Sequence, residues 1–199
     1  MAAIVYGCTD STAANYNPLA TNDNGHCIAS KHHNVTGELV QELLAPGDNI
    51  RVSSISLTNV NFGGSTLVDL YIEKQLTGKF YLLKKVKLPV GATLIHDIRS
   101  FNNSSGEFGL FIKLTKSDVF TLTGSINPGN STTTVPGTST LFLSEVAIGD
   151  EIVVTAETRT VTAIASNTSL TINTTFTDDI ATDSTPDCSQ KSRIDVILS

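Results

Sequence analysis

The feature that most constrains this chain is a succession of short apolar runs between residues 50 and 114. They read Ile50 to Leu57, Leu67 to Ile72, Phe80 to Leu88, Thr93 to Ile98 and Phe108 to Leu114. Each run is rich in branched and aromatic residues and is bounded by Gly, Asn, Pro or Ser, as the strands of an antiparallel sandwich are. Amphipathic helical spacing is almost missing, and the abundant Thr and β-branched residues suit a pleated, half-buried surface. An all-β chain is expected. With 199 residues, 40% of them hydrophobic, it is long enough to bury one large core or two small ones.

The strands outside this stretch set the expected domain plan. Arg193 to Leu198 alternate as one isolated strand, which needs a sheet to join, and the run at 107–114 is its expected neighbour. Residues 121–189 then read as an insertion into a hairpin, tolerated because a longer loop costs only slowly more closure entropy. The insert holds the runs Thr132 to Thr138, Leu141 to Leu143, Val146 to Val154, Arg159 to Ile164 and Ser169 to Ile172. That many short strands in a small space predict a curled barrel. Residues 178–188 read as an acidic linker back to the main domain, and Cys188 as an odd thiol, free or surface-exposed. Val35 to Leu44 reads as a short helix or a further strand, and Gly37 with the following Pro-Gly turn favours the strand. The expected architecture is therefore a jelly-roll-like antiparallel β-sandwich (31–120 plus 190–199), an inserted small β-barrel (121–189) and an irregular Cys-framed segment (1–30).

That first segment is crowded with turn formers and lacks apolar periodicity, so something must tie it down. Cys8 and Cys27 frame it. A disulfide between them closes a loop of about 20 residues, worth on the order of 3 kcal/mol in the chain-entropy model; two reduced thiols are the alternative in a cytosol. Asp10, Asn15, Asn17, Asn22, Asp23 and Asn24 are hard oxygen ligands of the kind Ca²⁺ takes, although the spacing is no EF-hand and the same residues are what tight turns use.

The net charge of −6 argues against a nucleic-acid footprint, and Lys84, Lys85 and Lys87 alternate with apolar residues as the solvent face of a strand does. No run approaches the roughly 18–20 apolar residues of a membrane span, and the first residues do not read as a secretory signal. Chemistry is equally unprovided for. His32 and His33 are adjacent and so diverge on a strand, which makes them a poor chelate. His96 and Asp97 sit among so many hydroxyls that a triad could be drawn anywhere. No phosphate loop, Cys-x-x-Cys pair or zinc spacing is present. A non-enzymatic protein is expected, with a carbohydrate-binding face of Thr, Ser, Asn and occasional aromatic residues as the alternative.

The pattern Gly7-Cys8-Thr9-Asp10, Ala14-Asn15-Tyr16-Asn17-Pro18, Ala20-Thr21-Asn22-Asp23-Asn24-Gly25 and Cys27 resembles a short extracellular motif of secreted marine bacterial proteins and of virion proteins of marine tailed phages, cyanophages included. In that motif a further Cys commonly stands where this chain has Ala14. The runs Ile55 to Asn59, Val68 to Ile72, Leu82 to Val86 and Leu88 to Leu94, with the terminal strand, look like a β-sandwich module of phage structural proteins. Gly137 to Phe142, Val146 to Asp150 and Ala163 to Thr171 are similar to a small β-module of tail and fibre proteins.

The resemblance implies a virion structural protein of a tailed phage, without cofactor. Its implied role is capsid decoration or a head–tail (neck) accessory, with a tail-fibre or receptor-binding module next. Implied partners are the major capsid, portal, neck or tail proteins and further copies of the chain. The loops holding Asn61, Phe62 and Gly63, and Asn102, Asn103 and Ser104, are expected contact regions, as are sheet edges.

Overall fold

The computed structural model describes residues 3–13, 15–28, 31–48, 50–74, 78–102, 107–116, 118–179, 182–183 and 185–199, apart from the side chains of 99, 100 and 102. The chain is built almost wholly from β-strands and divides into two compact units. The first comprises 1–60, 67–115 and 193–199; the second comprises 61–66 and 116–192. The Cys-framed segment therefore belongs to the first unit, and the chain crosses between units near 115 and 192 rather than at 120 and 189.

The first unit begins with three two-residue strands, β1 (Tyr6–Gly7), β2 (Asn22–Asp23) and β3 (Cys27–Ile28). Then follow β4 (Lys31–Thr36), β5 (Val40–Leu44), β6 (Ile50–Asn59), β7 (Thr66–Lys74), β8 (Gly78–Leu88), β9 (Thr93–Asn102) and β10 (Gly109–Lys116). The last strand of the chain, β18 (Arg193–Leu198), returns to this unit. One sheet runs β5-β10-β7-β8, and the other β3-β6-β18-β4 with β9 also on β6. Both contribute to one core: Ile55 and Leu57 of β6, Val68 and Leu70 of β7, Leu110, Ile112 and Leu114 of β10, and Ile194, Val196 and Leu198 of β18 are all buried together. Two sheets closing on a shared apolar layer make this unit a sandwich.

Two expectations are corrected here. Val35 to Leu44 is two strands, β4 and β5, parted at Gly37, whose φ of +81° suits a residue without Cβ. The terminal strand does not join the run at 107–114. It lies between β4, pairing Arg193 to Leu198 with Thr36 to Lys31, and β6, pairing Ile194 to Leu198 with Asn59 to Ile55. The run at 107–114 has no edge to offer, because β10 is already flanked by β5 and β7.

The second unit contains β11 (Phe120–Thr121), β12 (Ser125–Ile126), β13 (Thr134–Thr138), α1 (Phe142–Glu145), β14 (Glu151–Val154), β15 (Glu157–Ser166), β16 (Ser169–Ile172) and β17 (Asp187–Ser189). Its sheet has the order β11-β17-β14-β15-β16-β13-β12. The two outermost strands, β11 and β12, are separated in sequence by only Leu122, Thr123 and Gly124, so the sheet must curl round to bring its edges together. A compact interior results, with Phe142, Ile152, Val161, Leu170, Phe176 and Cys188 buried in it.

Two local expectations fail in this unit, and a third is narrowed. Leu141 to Leu143 is not a strand but the start of α1, whose first N–H groups are met from far along the chain: Phe142 N donates to Asn167 O and Leu143 N to Asn167 Oδ1, the latter at 3.1 Å. Residues 178–188 are not a plain linker, because β17 pairs with β14 and β11 and Asp183 bridges Ile126. Cys188 is not disulfide-bonded, in keeping with the odd thiol expected, and it is buried rather than surface-exposed.

Candidate functional site

The N-terminal segment is held by one covalent link and a ring of short-range caps. Cys8 and Cys27 form a disulfide with their Cα atoms 4.9 Å apart. Asp10 Oδ1 accepts from Thr12 N and Thr12 Oγ1, Asn17 Oδ1 from Leu19 N, Asp23 Oδ1 from Gly25 N, and Asn24 Oδ1 from His26 N. These are Asx-type turns in which the side-chain oxygens take up backbone donors. The two Thr12 bonds hold the Asp10 carboxyl below its usual pKa. Asn22 is exposed on β2. Among the described residues, no three His, Cys, Asp or Glu side chains gather as a metal ion requires.

Asn15 acts differently. Its Nδ2 donates to His26 O and its Oδ1 accepts from Ile28 N, both at 2.7 Å, so it grips the backbone on either side of Cys27. That grip lays β3 parallel along the start of β6, Cys27 opposite Ile50 and Ile28 opposite Arg51. Next along β6, Ser53 N and Ser54 N both donate to Ser199 O, at 2.8 and 2.9 Å. Two donors on one acceptor mark a bulge, and the inward phase of β6 shifts there: Ile50 and Val52 are buried, then Ile55 and Leu57. Between these two attachments a recess of about 350 Å³ opens on the sheet, lined by Asn15, His26, Ile28, Arg51 and Ser53.

A second feature lies on the other sheet. Tyr71 of β7 stacks on Phe111 of β10 and tilts against Tyr81 of β8, with ring centroids 5.8 and 5.5 Å apart. Lys79 Nζ donates to Tyr71 Oη, which raises the lysine pKa, and sits over the same ring; Lys84 covers Tyr81. Tyr71 is buried under this cover, whereas Tyr81 remains 42% exposed.

No family model, curated protein or solved structure matches this chain. Its own geometry therefore carries the reading of each expected site residue.

Of the loop trio in the second unit, Phe62 is exposed, Gly63 half-buried and Asn61 buried. Asn61 is buried, and its Nδ2 bonds Gly64 O and Thr66 Oγ1 at 3.3 Å. Gly63 lies so close against the Phe120 ring that a Cβ there would collide with it. Gln190 Oε1 accepts from Phe62 N and Gly63 N while its Nε2 donates to Glu145 O, which fixes the loop onto α1. Asn103 and Ser104 lie outside the described residues, and Asn102 ends β9. His32 and His33 lie within β4.

The recess was missed because no motif marks it. One signal was available: apolar residues at 50 and 52 followed by 55 and 57 break the period-2 pattern, and such a break announces a bulge.

Proposed function

We propose that this chain is a non-enzymatic structural protein of a tailed-phage virion, assembled on the particle by protein–protein contacts as a capsid-decoration or head–tail accessory subunit. The N-terminal motif around Cys8 and Cys27 carries the reading, supported by its disulfide, since a covalently tied turn segment suits a protein that ends up outside a reducing cell. Two strand-built units, one inserted in the other, suit a subunit that anchors by one and presents the other. A sheet edge is available for assembly: among the described residues β8, eleven residues long, borders the β5-β10-β7-β8 sheet with no further strand on it. Lys84, Lys85 and Lys87, with left-handed backbone at Lys85 (φ +51°), guard that edge against unselective pairing.

A glycan-binding module of a tail fibre is the second reading, favoured by the exposed Tyr81 and Phe80 rings. Mass spectrometry of purified virions separates the two classes of role. A capsid-decoration or head–tail subunit is present in a copy number that matches the head or neck symmetry; a tail-fibre module is present in the copy number of the fibres, and absence of the chain from virions overturns both.

A further inference from the structure

We propose that the recess beside β6 binds an anionic saccharide, a hydroxyl-bearing ring carrying one carboxylate or sulfate. The recess belongs to a unit whose charges balance; the nine carboxylates and three cations of the second unit account for the whole net charge of −6. Arg51 projects from the exposed face of β6, and no hydrogen bond or ion pair engages its guanidinium among the described residues. A planar fork of N–H donors without an internal acceptor matches an oxyanion.

The other walls select what carries that oxyanion. His26 Nδ1 contacts Asn24 O, which assigns its proton to that nitrogen and leaves Nε2 to accept a hydroxyl. Ser53 Oγ donates to Ser199 O and keeps its lone pairs for a second hydroxyl. Ile28, 41% exposed, offers an apolar wall to the C–H side of a sugar ring. The volume, about 350 Å³, is at the small end of ligand sites and suits one ring rather than a chain.

The recess is also tied to redox state. His26 and Ile28 flank Cys27, so the Cys8–Cys27 bond and the Asn15 grip together hold two of the five walls. Reduction releases a segment that has no apolar core to hold it, and Arg51 loses its opposing wall. This inference stands apart from the virion reading, since the recess takes its ligand whether or not the chain rides on a particle.

Amide chemical shifts of the full chain, followed while glucuronate, galactose 6-sulfate, glucose or inorganic sulfate is added, test it directly. We expect saturating shifts at Ile28, Arg51 and Ser53 with one or both acidic sugars at a Kd of about 1–10 mM, with glucose and bare sulfate at least about tenfold weaker. Comparing the two acidic sugars tells a carboxylate ligand from a sulfate one. Arg51→Ala weakens binding about tenfold or more, Arg51→Lys less, and dithiothreitol abolishes it while the core amides of β6 and β18 keep their shifts. Equal binding of glucose, unchanged affinity in Arg51→Ala, or no shift up to about 50 mM of either acidic sugar overturns the proposal. Sulfate binding as tightly as galactose 6-sulfate overturns its saccharide part.

Discussion

At the scale of single residues, this chain places a few side chains where folding chemistry is easily read. His33 is one. Its Nε2 is buried without a hydrogen-bond partner among the described residues, and burial, with Lys31 and His32 nearby, lowers its pKa. The neutral ring is thus favoured in the folded state, while the unfolded chain takes up a proton near the ordinary value of about 6.5. Stability contributed by the neutral ring is present above that value and is lost as the pH falls below it. Thermal melts between about pH 7.5 and 5 should show the wild-type chain losing more stability than His33→Gln; parallel curves would contradict this.

Thr155 and Ala156 join β14 to β15 with φ of +48° and +66°, the type I′ conformation that Asn-Gly adopts without steric cost. A β-branched residue in the left-handed region is strained. Replacing the pair by Asn-Gly should stabilise the second unit by about 1 kcal/mol, measured as a raised denaturation midpoint. By contrast, Gly63→Ala must push aside the Phe120 ring and should cost about 1–3 kcal/mol of stability, read as a lowered midpoint.

At the scale of elements, β6 is the organising strand of its unit, because β3, β9 and β18 all pair with it. Leu57 is fully buried in it, and Leu57→Ala should cost about 2–5 kcal/mol in denaturant unfolding. The Cys8–Cys27 bond acts locally by comparison. Cys8→Ser with Cys27→Ser should remove about 3 kcal/mol from the order of residues 3–28, while hydrogen exchange in β6 and β18 stays slow; loss of protection across both sheets would show that the segment is instead required for the sandwich.

The same scale shows what the sequence made legible. Strands β6 to β10 could be read because their apolar runs are bounded by turn formers, and the disulfide because two cysteines frame a stretch with no other means of order. Pairing partners could not be read. Alternation in Arg193 to Leu198 identifies a strand and its buried face, yet nothing in it tells β4 and β6 from β10. Tertiary capping was equally hidden: α1 exists because Asn167 meets its N-terminus and Glu145 accepts from Thr123 N, contacts that no local pattern contains. The recess fell between these cases, since its bulge left a break in the alternation of β6 but its wall residues come from separate stretches.

For the whole molecule, one unit is nested in another, and charge is partitioned between them. The sandwich is neutral overall and the inserted unit carries the negative balance. In the account proposed here that division is one of labour, the neutral sandwich docking on the particle and the acidic, well-hydrated insert kept in solvent or facing a neighbouring copy. Cryo-electron microscopy of purified virions from the source of this sequence tests that claim most directly. The account predicts density for both β units at symmetry-related positions on the head, neck or tail, with residues 50–114 in the anchored part. Particles that lack the chain altogether would contradict it.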